Sequence, residues 1–591
     1  MISIVLESQM QSTPGGLWLA VAVLLPFVGM MIGLCLGGRH VRRVALLTAL
    51  LGLALAVVIA SSWLHADGPL VYVLGGWSPP LGIALRADGP SVVMMLAVAV
   101  VVCGIGVFAY ADFDTPAGKA ESRSPFTYWL LLLAVWGSLN LVFVSGDLFT
   151  LYVALELLTF AGVPMVCLDG KAETLRSALR YLLFALCGSV LYLLGAVLLY
   201  GGYGTLDIVL LSERIQPGVI AWTAAALMTV GLLAKTALFP LHIWLPPAHG
   251  GAPAAASAVL SALVIKGSWF LVVRLWFDVM PGVVTLPSAQ LLAAMGATAI
   301  VVGSVVALRQ ERLKLLVAYS TVAQIGYLFL MFPLAFDAAG NALAQDAALT
   351  AGVLQAVSHA TAKAGMFMAA GLVYAALGHD RIADLAGVAR ALPITVLAFV
   401  VSGVALMGVV PSGAYLAKKL LLDAADQSGQ WWWTIVLQGG AVFTAGYVVL
   451  VLVSALRRPS EPISPVKRVA RSSELAALAL SVSSLLLAFA ALGPVSGDLI
   501  KNPLALEELG TTLLVLLGGA ALAFALARSP LAGPARAGVS AAGESVRRLA
   551  RPVGTAFESA DGFVRRWPSA TVGLLTLAAL FGWLLLSGAP V

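Results

Sequence analysis

Six ionisable residues stand inside stretches of the chain that are otherwise apolar. Glu156 lies in LYVALELLTF, Lys235 in GLLAKTALFP, Lys266 in LVIKGSWF, His359 and Lys363 in VSHATAKAG, and Lys418 in AYLAKKLLL. His359 and Lys363 are four residues apart and so share one face of a helix. An ionised side chain at the centre of a bilayer costs at least ~2.5–3.5 kcal/mol. A chain that accepts this cost on several separate segments points to groups that take up and release protons. The chemistry implied is acid–base exchange along a hydrated row, with no covalent step.

Helix breakers adjoin two of these lysines. Pro240 follows Lys235, and Pro411 with Gly413 precedes Lys418. Proline frees backbone carbonyls that lipid cannot satisfy, so such breaks must face protein or a wet cavity. Paired breaks in two halves of a chain mark ion sites in transporters. The layout suggests two such halves. Residues 126–280 carry Glu156, Lys235 and Lys266, and residues 281–430 carry His359, Lys363 and Lys418. His242, His249, Ser257, Ser261, Ser320 and Thr321 are candidates to support the path.

Each candidate has an ordinary explanation beside it. Snorkelling to headgroups accounts for Lys419 and Arg274 and stays open for Lys418. A static ion pair would account for Glu156, and a lone His359 would be a satisfied core histidine. The four hydroxyls could simply bond their own helix backbones.

The elements that must position these residues follow from composition. The 591 residues are 61% hydrophobic and 10% charged, where a soluble domain holds about 25% charged residues. A larger core cannot absorb the difference, because single cores stop growing near ~250–300 residues. The bilayer is the natural solvent, and spans of roughly 20 apolar residues give about sixteen crossings between residues 17 and 587. The span 391–424 is too long for one simple crossing and is interrupted by GVVPSGAY. The start, MISIVLESQMQS, has Glu7 and no basic n-region, so the first apolar run reads as an anchor. A division follows: 1–125 as N-terminal helices with an external hairpin, the two halves, 431–530 as additional spans, and 531–591 as a lateral helix and final anchor.

Arg39, Arg42 and Arg43, the RQERLK loop (309–314), the loop 457–471, and Arg536, Arg547, Arg548 and Arg551 fall on one side. Asp207, Glu213, Asp337, Asp346, Glu507 and Glu508 fall on the other. Since Lys and Arg concentrate in cytoplasmic loops, both termini are expected outside, in a cell inner membrane. The +6 charge reflects this topology and does not indicate nucleic-acid binding. Cys35, Cys103, Cys167 and Cys187 form no CxxC pair, and no zinc, iron–sulfur or nucleotide motif is visible. No cofactor is expected. In 540–567, Val546, Leu549, Val553, Phe557, Ala560 and Phe563 form an apolar stripe with Arg547, Arg548 and Arg551 largely off it. This reads as an interfacial amphipathic helix kinked at Pro552; a solvated basic linker is the alternative.

Seven motifs in order resemble the antiporter-like proteins shared by respiratory complex I, Mrp cation/proton antiporters and membrane-bound hydrogenases, with the nearest likeness to the D-type member of Mrp. They are YVLGGWSPPLGIALRADGPS (72–91), SGDLFTLYVALELL (145–158), LYGGYGTLDI (199–208), KTALFPLHIWLPPAHGGAPAAASAVLSALVIK (235–266), ALRQERLKLLVAYSTVAQIGY (307–327), SHATAKAGMFMAAG (358–371) and GVVPSGAYLAKKLLL (408–422). The resemblance implies an all-α polytopic fold with two inverted five-helix repeats, each holding one broken helix. It implies that Glu156 pairs with Lys235, that Lys266 connects toward the centre, and that His359, Lys363 and Lys418 continue the path. Three positions depart from the pattern. Pro247 replaces the usual acidic residue, Arg180 replaces a lysine, and Glu311 stands next to Arg312 where an aspartate is usual.

With Glu156 and Lys235 about 6 Å apart in an effective dielectric of ~20, their attraction is ~2.8 kcal/mol. Neutralising the carboxylate then changes the lysine's hold on its proton about hundredfold. The expected function is proton, or proton and Na⁺, translocation within a multisubunit membrane complex, driven by redox chemistry in partners or by an opposing gradient. Two other classes compete: a coupling subunit for inorganic-carbon uptake with a soluble zinc partner, and a passive scaffold.

Overall fold

The computed structural model describes residues 11–116, 118–344, 346–459, 466–490, 506–526 and 541–587. The readings placed on Glu7, on Arg536 and on part of the loop 457–471 lie outside these, as do those on the side chains of Glu507, Val546 and Arg547. The chain is an all-α polytopic membrane protein. Among the described residues, fourteen helices are long and apolar enough to cross a bilayer, and two shorter apolar helices accompany them.

The elements run as α1 (Leu17–Leu36), α2 (His40–Leu64), a hairpin of β1 (Leu70–Val73) and β2 (Ala84–Ala87), α3 (Gly89–Ala109), α4 (Arg123–Val144), α5 (Leu148–Val166), α6 (Ala172–Tyr203), α7 (Ile208–Arg214), α8 (Val219–Thr236) and α9 (Leu245–Gly251). Then come α10 (Ala254–Val279), α11 (Leu286–Leu308), α12 (Leu313–Leu334) and α13 (Asp346–Leu377). The chain closes with α14 (Pro393–Leu406), α15 (Gly413–Gln427), α16 (Trp431–Leu456), α17 (Arg471–Ala490), α18 (Leu506–Leu526), α19 (Ala541–Val564) and α20 (Trp567–Ser587). The strands pair antiparallel with Leu70 opposite Ala87 and Val73 opposite Ala84.

Short polar residues start several helices by accepting from their first free backbone N–H groups. Asp88 caps α3 through Ser91, Asp147 caps α5 through Thr150, Asp207 caps α7, and Ser412 caps α15 through Tyr415. These caps end the loops without leaving orphan donors at the membrane edge.

Burial sorts the helices. α10 and α12 are enclosed almost throughout, whereas α1 and α2 leave most of their surface open to lipid. α13 packs against α14, α15 and α17. Lys266, Ser320 and Thr321 of the polar row described below lie on α10 and α12, and all three are fully buried. Several pairs of helices approach backbone to backbone. A Cβ on Gly326 would collide with the Gly296 carbonyl oxygen, and one on Gly231 would collide with that of Gly188. Small residues permit this approach in membranes, where packing rather than the hydrophobic effect joins helices. Gly326→Ala should therefore push α11 and α12 apart and lower stability by about 1–3 kcal/mol, as overpacking does. Thermal unfolding of the solubilised protein measures it; an unchanged midpoint refutes it.

α10 is not uniform. It carries a π-helical segment over Leu260–Val264, directly before Lys266, and another over Arg274–Val279. Such segments occur mostly as single wide turns, frequently at functional sites.

A buried row of ionisable groups

Glu156 on α5 and Lys235 on α8 form an ion pair at 3.0 Å, with side chains 13% and 6% exposed. The pair is tighter than the ~6 Å taken above; 3.0 Å in the same dielectric gives about 5–6 kcal/mol. Lys235 also donates to the Thr159 hydroxyl (2.9 Å) and the Leu155 carbonyl (3.3 Å), and Ser189 donates to Glu156. All three ammonium protons thus have acceptors. The next residue, Thr236, donates to Ser268 of α10 at 3.0 Å, two residues past Lys266.

Lys266 is fully buried. Its ammonium donates to the Ser261 carbonyl at 2.5 Å. The Ser261 hydroxyl meets that of Thr321 on α12 at 3.0 Å, and Thr321 donates to the Val317 carbonyl at 2.9 Å. Lys363 of α13 donates to the same carbonyl at 3.3 Å and to Ser320. Two lysines on different helices therefore reach one polar cluster: Lys266 bonds the Ser261 carbonyl, the hydroxyl of that same serine meets Thr321, and Thr321 and Lys363 share the Val317 carbonyl. Ser320 and Thr321 also bond their own helix backbone at Val317, so the ordinary and the functional readings hold together for these hydroxyls. Ser257 reaches only the His249 carbonyl, at 3.4 Å.

His359, one turn before Lys363, is fully buried, and neither ring nitrogen has a hydrogen-bond partner among the described residues. The same holds for His249, whose ring stacks on Phe367 at 4.7 Å. Lys418 stands apart from this connected row. It lines a cavity of about 200 Å³ with Lys419, Asp423 and Glu508.

Both breaks are present and alike. α8 ends at Thr236, Ala237 is left-handed (φ 59°), and Pro240 follows. α14 ends at Leu406, Gly408 is left-handed (φ 61°), and Pro411 follows. Ala237 is the one non-glycine residue with positive φ among the described residues, a conformation that costs about 1–2 kcal/mol. Trp244 fastens this first break by donating to the Ala234 carbonyl at 3.0 Å and stacking on Tyr181 at 4.1 Å. Gly413 lets the second break press on α13, since a Cβ there would come 3.2 Å from Ser358, the neighbour of His359.

Two sequence expectations are corrected. Arg274 does not snorkel: it is bonded to both oxygens of Asp88, at 2.5 and 2.6 Å, and to Asp278 at 2.7 Å. Lys419 likewise pairs with Glu508 at 3.1 Å. In both cases a carboxylate distant in sequence supplies the partner, which helix-by-helix reading cannot see. Sequence reasoning also misses Lys314, whose buried ammonium donates to the Ala252 carbonyl; as part of a basic loop it reads as a topology signal. His242 is a candidate from sequence, but its partner is not. It pairs with Asp561 of α19 at 2.7 Å.

Enclosed helices, two breaks and several buried lysines define a polytopic membrane protein built around internal ionisable groups. The chain belongs to the family described as NADH:quinone oxidoreductase/Mrp antiporter, transmembrane region, which it matches over residues 145–444. It is 32% identical over 474 residues to NADH-quinone oxidoreductase subunit N of Desulforudis audaxviator, covering 78% of this chain and 92% of that one. It is 27% identical to the D component of the Na(+)/H(+) antiporter of Alkalihalophilus pseudofirmus, covering 68% and 79%. Its fold is similar to a chain in the structure of the Mrp complex from Dietzia sp. DQ12-45-1b, with a TM-score of 0.69 at 22% identity over 90% of this chain and 99% of that one.

Proposed function

We propose that this chain is a proton-translocating, or proton- and Na⁺-translocating, subunit of a multisubunit membrane complex. Its partners are other membrane subunits of an Mrp-, hydrogenase- or complex I-like assembly. Either redox chemistry in those partners or an opposing cation gradient drives it. The observation that carries this reading is the link from Lys266 through Ser261, Thr321 and the Val317 carbonyl to Lys363. A passive scaffold gains nothing from burying two ionisable amines in one polar cluster, where apolar side chains would pack without the cost of desolvating them.

In this reading Glu156 and Lys235 form the switch. While the pair is closed, the carboxylate holds the proton on Lys235. When the carboxylate is neutralised or drawn away, the ammonium passes its proton toward Lys266, and His359, Lys363 and Lys418 carry it on. The two halves, 126–280 and 281–430, act as inverted repeats, each with its break at Pro240 or at Pro411 and Gly413. The basic loops face the cytoplasm and both termini lie outside, in a cell inner membrane. Purification with native partners and flux measurements in sealed vesicles, with H⁺ and Na⁺ compared, test the reading. An intact assembly that moves neither ion overturns it.

A further inference from the structure

The C-terminal helix α19 sits on the protein in an unexpected way. Much of its apolar stripe faces outward: Leu549, Val553 and Phe563 are exposed, whereas Phe557 packs against the core. The side turned to the protein carries Gly554, Glu558, Asp561 and Arg565. A Cβ on Gly554 would collide with the Arg309 guanidinium, which pairs with Glu558 at 3.1 Å. One turn on, Asp561 is 2% exposed and pairs with the fully buried His242. Its second oxygen accepts from the Tyr319 hydroxyl of α12 and from Arg565, each at 2.8 Å. A single carboxylate thus binds the break after Lys235 and the helix that carries Ser320 and Thr321.

The chemistry of this contact is directional. Burial works to raise the Asp561 carboxyl, but the hydrogen bond from His242, with Arg565 and Tyr319, holds it below the usual carboxylate range. An ionised carboxylate only accepts, so His242 must donate from Nε2, and the neutral ring then has a bare lone pair on Nδ1. That Nδ1 is buried and has no hydrogen-bond partner among the described residues. The ring of Phe239 packs at 5.2 Å from the imidazole. The charged and titratable groups facing the pair are Tyr319 on α12, Arg309 at the end of α11, and Glu558 and Arg565 on α19.

We propose that Asp561 is a positioning residue of the ion path: it fixes the His242 imidazole at the first helix break so that His242 exchanges protons at Nδ1 beside the segment that ends at Lys235. Uptake there gives an imidazolium opposite the Asp561 carboxylate. Release from the same atom restores the neutral ring, and only N–H bonds change. The C-terminal helix is then part of the translocating machinery as well as a brace. This rests on the proton-translocation reading above.

The test uses the full chain with its native partners in sealed vesicles. Asp561→Asn keeps the size and one acceptor oxygen for His242, but its NH2 can only donate toward the Tyr319 oxygen, and the charge is removed. It should assemble yet transport at least ~10-fold more slowly. Its pH–rate profile should move to lower pH, because an imidazolium without its counter-charge gives up its proton more readily. Asp561→Glu should restore most of the rate. Wild-type rates and an unmoved profile for Asp561→Asn would reduce the contact to a structural latch and overturn the proposal. If that variant fails to assemble, Tyr319→Phe decides, since it removes one donor to the carboxylate: a moved profile supports the proposal and an unmoved one overturns it. Wild-type vesicles that move no ions would instead defeat the underlying reading.

Discussion

Replacing Lys235 by alanine is expected to abolish ion movement while leaving the chain in the membrane with its partners. The substitution removes the charge paired with Glu156, together with the donor to Thr159 and the Leu155 carbonyl. Removing one member of a buried pair usually costs ~3–5 kcal/mol because the other is left uncompensated. Here Glu156 is 13% exposed and keeps Ser189 as a donor, and it can also take up a proton, so the fold tolerates the loss. Transport cannot, because no other group on α8 can exchange a proton. Flux in vesicles should fall by at least ~100-fold, within the range of losses for removing a positioned proton donor. Native gels of the same membranes report assembly. An assembled Lys235→Ala complex that transports normally would remove Lys235 from the path.

The second large effect is expected at Lys363, and here the informative change is to arginine. Arginine keeps the positive charge and can still donate to Ser320 and to the Val317 carbonyl, but it does not release its proton in proteins. If Lys363 acts only as a fixed countercharge, Lys363→Arg should transport nearly as well as wild type. If it carries protons, the rate should fall by ~10–100-fold, as for Lys363→Met. The same vesicle assay separates the outcomes, and the expected one is loss in both variants. Crowding by the larger guanidinium in this fully buried site is controlled by measuring thermal stability alongside.

The axis is legible in the sequence because its members are anomalies. A lysine inside GLLAKTALFP stands out against apolar neighbours, and so does a glutamate inside LYVALELLTF. The breaks are legible for a similar reason, since proline marks them directly. What cannot be read falls into three kinds. The Val317 carbonyl shared by Thr321 and Lys363, like the Ser261 carbonyl that Lys266 meets, has no side-chain signature at all. Asp561 lies among many charges in an amphipathic stretch, where one more carboxylate is unremarked and the apolar stripe draws attention to the opposite face. For Arg274 and Lys419 snorkelling is the ordinary expectation, and their partners Asp88 and Glu508 are far away along the chain. Local pattern exposes a misplaced charge; it does not reveal which distant residue answers it.

The wide turn over Leu260–Val264 carries a further implication for how such a path is inherited. A turn of this kind holds one residue more than its α-helical equivalent, so every later side chain is offset by about 100° around the cylinder. Lys266 therefore meets Ser261 and the hydroxyls beyond it by virtue of chain length as much as composition. Shortening this stretch by a single codon would leave every ionisable residue type in the chain intact and still aim that ammonium at a different neighbour. Relatives should be compared here by counting residues, because an alignment that closes the gap silently would match the letters and misplace the lysine.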